Sequence, residues 1–249
     1  MPNHITNQIM FENTATLYAV AQSMRQDGAV LGSFDFHKLE PMPLSLEIQE
    51  SSQTKEGLTL YTKFMKESAK SRDLSAAQRM AHVDKWRAVQ NRLPAVWELG
   101  KRAYENQQNH GHATWYNWAL ANWGTKWNAY YPVPLVEGSK KIEFSTAWSA
   151  PIPIIKRLSE VYSDQKITHR WADENIGYNV GTCVYENGEM IDIDVPEGGT
   201  KEAYEMAADI RGFDLADYGL SLSKDGRTYE YHEPSEPVAP PKKKKGQER

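Results

Sequence analysis

Cysteine is nearly absent: Cys183 stands alone among 249 residues. A single thiol excludes an internal disulfide and any zinc site built from several thiolates. Long apolar runs are missing too. No stretch approaches the ~18 apolar residues of a membrane span, and no basic, apolar and small-residue leader opens the sequence. The usual enzymatic punctuation is lacking as well, with no glycine-rich phosphate loop, no nucleophile elbow and no HExxH. These absences point to a cytoplasmic, non-enzymatic protein with no cofactor, no resident metal and no membrane contact.

Tryptophan is what the chain has in quantity. Six of its 8 Trp lie between positions 115 and 171. Charge is also unevenly placed. Residues 51–110 carry 11 basic against 6 acidic groups, while residues 161–232 carry 6 against 15, so the net charge of −4 conceals a basic middle and an acidic end. Each is suited to a solvated surface or to a partner of opposite sign.

The periodicities define an order of elements. Ile5, Asn7, Ile9 and Phe11 share one face of a period-2 strand. Thr14 is placed to cap a helix carrying Leu17, Val20, Ala21 and Met24, which Asp27-Gly28 stops. Val30 to Phe36 reads as a second strand. Residues 51–112 then turn helical: Tyr61, Phe64 and Met65 form one face, and Met80, Val83 and Trp86 follow the cap Ser75. Val96, Leu99, Gly100 and Ala103 follow Pro94, and a polar loop is expected over 106–112. Strand pattern returns with Ile142, Phe144, Thr146 and Trp148, then a helix after Pro151 and Pro153. Ile167, His169 and Trp171 make a strand, and Asn187-Gly188 joins two more as a hairpin. Thr200 caps a last helix ending near Gly212. The predicted fold is α+β: a ferredoxin-like, split βαβ antiparallel sheet with helices on one face. Its halves are 1–50 and 113–232, interrupted by the helical insertion 51–112 and followed by a disordered basic tail, 233–249.

Four passages, MPNHITN, WALANWGTKWNAY, FSTAWSAPIPIIKRLS and WADENIGYNVGTCVYENGE, resemble the YubB-like ferredoxin-like family over residues 1–36 and 113–211. The chain departs from that family's pattern at Ala150, where a second proline often precedes the helix. The resemblance implies an accessory protein of a phage or plasmid, working in the bacterial host's cytoplasm against a host protein such as a defence complex. It supplies no catalytic residues.

Two surfaces are candidates for binding. The first is the tryptophan-rich loop, with Trp115, Trp118, Asn122, Trp123, Thr125, Lys126, Trp127 and Asn128; Trp and Tyr dominate protein-binding hot spots, yet the same indoles suit a structural keystone. The second is the basic face of the inserted helices, where Lys63, Lys66, Lys70, Arg72, Lys85, Arg87, Lys101 and Arg102 have the sign to bind nucleic acid. The His110-Gly-His112 pair lacks a third ligand at suitable spacing and reads as solvated. Asp192 and Asp194 read as the wet face of an edge strand. Pro2 would present a secondary amine if Met1 were removed, but no acid–base set accompanies it.

Overall fold

The computed structural model describes residues 2–232. The tail and Met1 lie outside the described residues. Among them, the strand β1 (His4–Phe11) lies second from one edge of a five-stranded antiparallel sheet. β2 (Ile142–Ala147) pairs with one side of β1 and β3 (Ile167–Asp173) with the other, Asn7 facing both Phe144 and Trp171. Because both neighbours run antiparallel to β1, they run parallel to each other. The helix α6 (Ile152–Val161) connects them across β1. That crossover is the split βαβ unit, and the domain is ferredoxin-like.

β4 (Val180–Glu186) and β5 (Glu189–Asp194) continue the sheet as a hairpin, giving the order β2-β1-β3-β4-β5. The turn follows from its residues: Asn187 at φ 49° and Gly188 at φ 76° supply the two positive φ values of a type I′ turn. β5 is exposed along its whole length, and Asp192 and Asp194 alternate with the exposed Ile191 and Ile193. The opposite edge is closed. Tyr130 and Ser145 exchange backbone hydrogen bonds of 3.0 and 2.7 Å, so the segment leading into β2 covers its outer side.

One sheet face carries the main core. Ile5, Ile9, Ile142, Phe144, Ile167, Cys183 and Tyr185 pack under α1 (Thr14–Ser23), whose inner side is Leu17, Val20 and Ala21, and under α6 with Ile154, Ile155 and Leu158. The α1 cap is Asn13, whose Oδ1 accepts from the Ala15 N–H at 2.8 Å; Thr14 is already inside the helix. The expected strand over Val30 to Phe36 does not form. Gly32 has φ 107° and lies tight against the Val133 carbonyl, which breaks the extended run. Phe34 and Phe36 enter the core from this irregular segment instead, and Phe34 stacks on Phe144 at 5.0 Å.

The other sheet face is not left open, as the sequence pattern implied. α7 (Lys201–Arg211) lays Ala203, Ala207 and Ile210 over Ala172 and Val180. Small residues on both sides let the helix lie close. Thr200 caps it and Gly212 ends it in the left-handed conformation. A short hairpin, β6 (Leu220–Leu222) with β7 (Tyr229–Tyr231), flanks it and leaves no sequence signal of alternating length.

Residues 51–112 hold α2 (Ser52–Ala69), α3 (Ala76–Arg92) and α4 (Pro94–His110). α4 runs through the expected polar loop as far as His110, where Gly111 caps it at φ 74°. α2 and α4 cross at two glycines. A Cβ on Gly57 would meet the Val96 carbonyl oxygen at 2.2 Å, and one on Gly100 would meet the Gly57 oxygen at 2.1 Å. Beyond the crossing, Tyr61, Phe64, Trp86 and Trp97 pack ring against ring in edge-to-face and tilted pairs, Phe64 and Trp97 being 5.1 Å apart. This aromatic cluster is separate from the core of the sheet. No helix among the described residues is long and apolar enough to cross a membrane.

Candidate functional site

The tryptophan-rich passage divides into an inward and an outward part. α5 (Trp115–Asn122) turns Trp118 into the core, and Trp123 follows it there. Their rings meet edge to face at 5.4 Å, and the Trp123 indole N–H donates to the Glu40 carbonyl at 2.9 Å. Thr125 is fully buried and donates to the Ala147 carbonyl at 2.8 Å. Asn122 donates to the Trp118 carbonyl. Asn128 is tied by its side chain to the Phe36 N–H and to Asp35. Trp115 is half-buried against Tyr116. In these six residues the loop acts as a keystone, and their groups are committed to the fold.

Lys126 and Trp127 point the other way. The Lys126 ammonium lies 4.4 Å from the Trp127 ring centre and 4.7 Å from that of Trp148, so two indole faces hold one cation. Trp127 is 40% exposed and Trp148 44%. Beyond Trp127 opens a cleft of about 530 Å³ lined by Pro2, His4, Trp127, Asn128, Tyr130 and Tyr131. The Tyr130 hydroxyl and the His4 Nδ1 are 2.9 Å apart. Burial raises the Tyr130 phenol to about 12, with Tyr131 and Glu174 adding to the rise, so the phenol stays protonated at neutral pH. The volume and the apolar, aromatic walls are those of a small-molecule or peptide site.

The rim is framed by a buried carboxylate. Asp173 accepts from Asn3 at 3.0 Å, from Asn179 at 3.0 Å and from the Asn175 N–H at 2.9 Å, and Asn179 also reaches the Trp148 carbonyl. Asp173 is thus an organiser of this end of the sheet. The backbone here is unusual: Tyr131 at φ 50°, Trp148 at φ 68° and Asn179 at φ 45° are three of the four non-glycine residues with positive φ among the described residues. For bulky side chains that conformation costs about 1–3 kcal/mol each, and such strain collects at binding and switch sites.

Residues 122–214 match the family described as the ferredoxin-like domain in Api92-like protein. That Api92-like match runs from the end of α5 through α7 and includes Lys126, Trp127, Tyr130, Tyr131 and Trp148. The chain is also similar to a crystal structure of a protein api92 from Yersinia pseudotuberculosis, at 11% identity and a TM-score of 0.40, over 80% of this chain and 99% of that one. No curated protein matches the chain.

Sequence reasoning missed Trp148, Tyr130 and Tyr131 as site residues. A signal was present for the tyrosines, which follow Trp127 within four residues. Nothing in the sequence brings Trp148 beside Lys126, because that contact arises where the segment 125–130 lies along the outer side of β2, Thr125 donating to the Ala147 carbonyl and Tyr130 pairing with Ser145.

The basic residues of the helices are not one patch. Lys63, Lys66 and Lys70 line a groove of about 500 Å³ along α2, together with Thr59, Thr62 and Gln107. Lys85 instead bonds Glu67 at 2.7 Å, where Glu67 also accepts from the Trp86 indole at 3.1 Å; the Lys85 hydrogen bond holds the Glu67 carboxyl below its ordinary pKa. Arg87 faces Asp84 at 3.8 Å, while Lys101 and Arg102 sit on α4. The Arg72 side chain lies outside the described residues. His110 reaches Ser45 at 3.2 Å, and among the described residues no cluster of three or more His, Cys, Asp or Glu is gathered to hold a metal.

Proposed function

We propose that the chain is a non-enzymatic binding protein, an accessory of a phage or plasmid that captures a host protein and thereby blunts a bacterial defence complex. The observation that carries the binding reading is the Trp127–Lys126–Trp148 clamp, half-exposed on strained backbone beside an aromatic cleft. Exposed indoles and phenols bury large areas at low entropy cost, so they are the side chains from which protein-binding hot spots are built. The mobile-element and anti-defence part rests on the family resemblance of the sequence.

The test is affinity purification of the full chain from its bacterial host beside the Trp127→Ala/Trp148→Ala variant, with quantitative mass spectrometry of the retained proteins. The expected result is a discrete protein depleted at least tenfold by the double substitution. Equal recovery on both chains refutes the reading.

A second reading has its own observation: Lys63, Lys66 and Lys70 converge on one groove of α2, which gives a nucleic-acid-binding surface. Gel-shift titration at low salt tests it. No retardation of DNA or RNA at micromolar protein removes it.

A further inference from the structure

β5 ends the sheet with an open edge, and its side chains are sorted by chemistry. Residues opposite each other in a ladder share a face. Met190 and Ile193 pair with Tyr185 and Cys183, which pack under α6, so both point to that side. Val195 follows them, lying against Gly181 beside Trp171. Glu189, Asp192 and Asp194 pair with Glu186, Val184 and Thr182 and point to the side of α7. A bulge makes this sorting possible. The register shifts by one residue between Met190 and Asp192, with Ile191 as the extra residue. In a regular strand Met190 would share its face with the two aspartates, because alternation has a period of two. Met190, Ile193 and Val195 stay exposed beyond the cover of α6. Among the described residues, no lysine or arginine pairs with Glu189, Asp192 or Asp194.

The backbone of the edge is set for pairing as well. The Glu174 N–H donates to the His4 carbonyl, and the alternation of ladder bonds carries that phase across β3 and β4. It turns the N–H and C=O of Asp192 and Asp194 toward β4 and those of Ile193 outward. There the Ile193 N–H donates to the Asp192 Oδ1 at 2.9 Å. We propose that β5 takes up an added strand from a partner protein, an extended segment in which basic residues alternate with apolar ones. The apolar residues of that strand extend the row of Met190, Ile193 and Val195, and its lysines or arginines meet the carboxylates on the other face. Charge selects this occupant over a second copy of the chain. Antiparallel pairing of two β5 strands sets one row of three carboxylates against another on the same face, which is destabilising. Asp192 adds a second selection. Its carboxylate closes the Ile193 N–H to a neutral strand, and a cation placed opposite draws it away and frees the donor. This surface goes beyond the clamp reading and does not rest on it, because Lys126, Trp127 and Trp148 are not among its residues.

The probe is a capped octapeptide of alternating lysine and valine, titrated into the full chain and followed by backbone amide resonances. Saturable shifts are expected at residues 189–195, with slowed hydrogen exchange at the Ile193 N–H. Asp192→Asn/Asp194→Asn is expected to weaken binding at least tenfold while the thermal midpoint holds, and Trp127→Ala/Trp148→Ala to leave it unchanged. A second peptide, N-methylated at its valines, keeps its charge but lacks the donors that would face β5, and it is expected to bind at least tenfold more weakly. Equal binding of the two peptides reveals charge attraction alone and overturns the proposal. So does binding indifferent to Asp192→Asn/Asp194→Asn, an absence of shifts at millimolar peptide, or loss of binding in the Trp127→Ala/Trp148→Ala chain. A doubled mass of the free chain by light scattering, with the Ile193 N–H already protected, also overturns it, in favour of β5 pairing between two copies.

Discussion

His169 sits fully buried on the inner face of β3, stacked on Trp171 at 5.3 Å. Asn7 donates from its amide nitrogen to the Ile5 carbonyl and to Thr146, which leaves its oxygen facing the His169 Nε2 at 3.1 Å. That arrangement requires the proton on Nε2 and leaves Nδ1, buried, without a partner among the described residues. Burial pushes the imidazole pKa down to about 3. An unfolded histidine near 6.5 takes up a proton that the folded one refuses. Stability is therefore complete above about pH 6.5 and is lost as pH falls toward 3, by up to about 1.4 kcal/mol per pH unit. Unfolding free energies from urea titrations between pH 7 and 4.5 are expected to fall by about 2–3 kcal/mol more in the natural chain than in His169→Met. Parallel curves would refute the assignment. The tryptophans divide by the same criterion of burial. Trp123→Ala opens a cavity against Phe36 and Trp118 and is expected to cost about 3–5 kcal/mol in thermal or urea unfolding. Trp127→Ala, at the rim, is expected to cost less than about 1 kcal/mol.

At the scale of elements, what could be read from sequence had a local cause. The alternation of β1, the Asn187-Gly188 turn, the Ser75 and Thr200 caps and Pro94 at the start of α4 all express rules that span a few residues. What could not be read depends on distant partners. Val30 to Phe36 alternates like a strand, but Gly32 must pass under the Val133 carbonyl, a constraint from a hundred residues away. α5 has no amphipathic stripe because Trp115 and Tyr116 pack on each other while only the adjacent Trp118 and Ala119 go inward. The keystone and the clamp share one uninterrupted aromatic run, so composition could not separate Trp123 from Trp127. The Gly57–Gly100 crossing is of the same kind: each glycine reads as a weak helix residue until its partner is known. Gly100→Ala is expected to push α2 from α4 and cost about 1–3 kcal/mol, as overpacking does. Hydrogen exchange offers the readout. Protection should fall in α2 and α4 while β1 and β3 keep theirs, because the aromatic cluster of the helices is separate from the core of the sheet.

For the molecule as a whole, charge and aromatic surface are carried by different parts. The α2 lysines belong to the basic segment 51–110, whereas Trp127 and Trp148 sit at one end of the sheet, close to acidic Glu174. The two readings of function therefore come apart by mutation. Lys63, Lys66 and Lys70 are exposed, away from the helix face that carries Gly57, Tyr61 and Phe64, so Lys63→Glu/Lys66→Glu/Lys70→Glu should leave the thermal midpoint nearly unchanged. If the groove carries nucleic acid, three phosphate contacts give a slope of about −2 to −3 in log affinity against log salt, and the triple reversal abolishes both the slope and the low-salt complex. Capture of a host protein through the clamp is expected to survive the reversal and to be lost with Trp127→Ala/Trp148→Ala, measured on the same preparations. Loss of protein capture in the lysine variant would place the partner on the helices and remove the aromatic rim from the account.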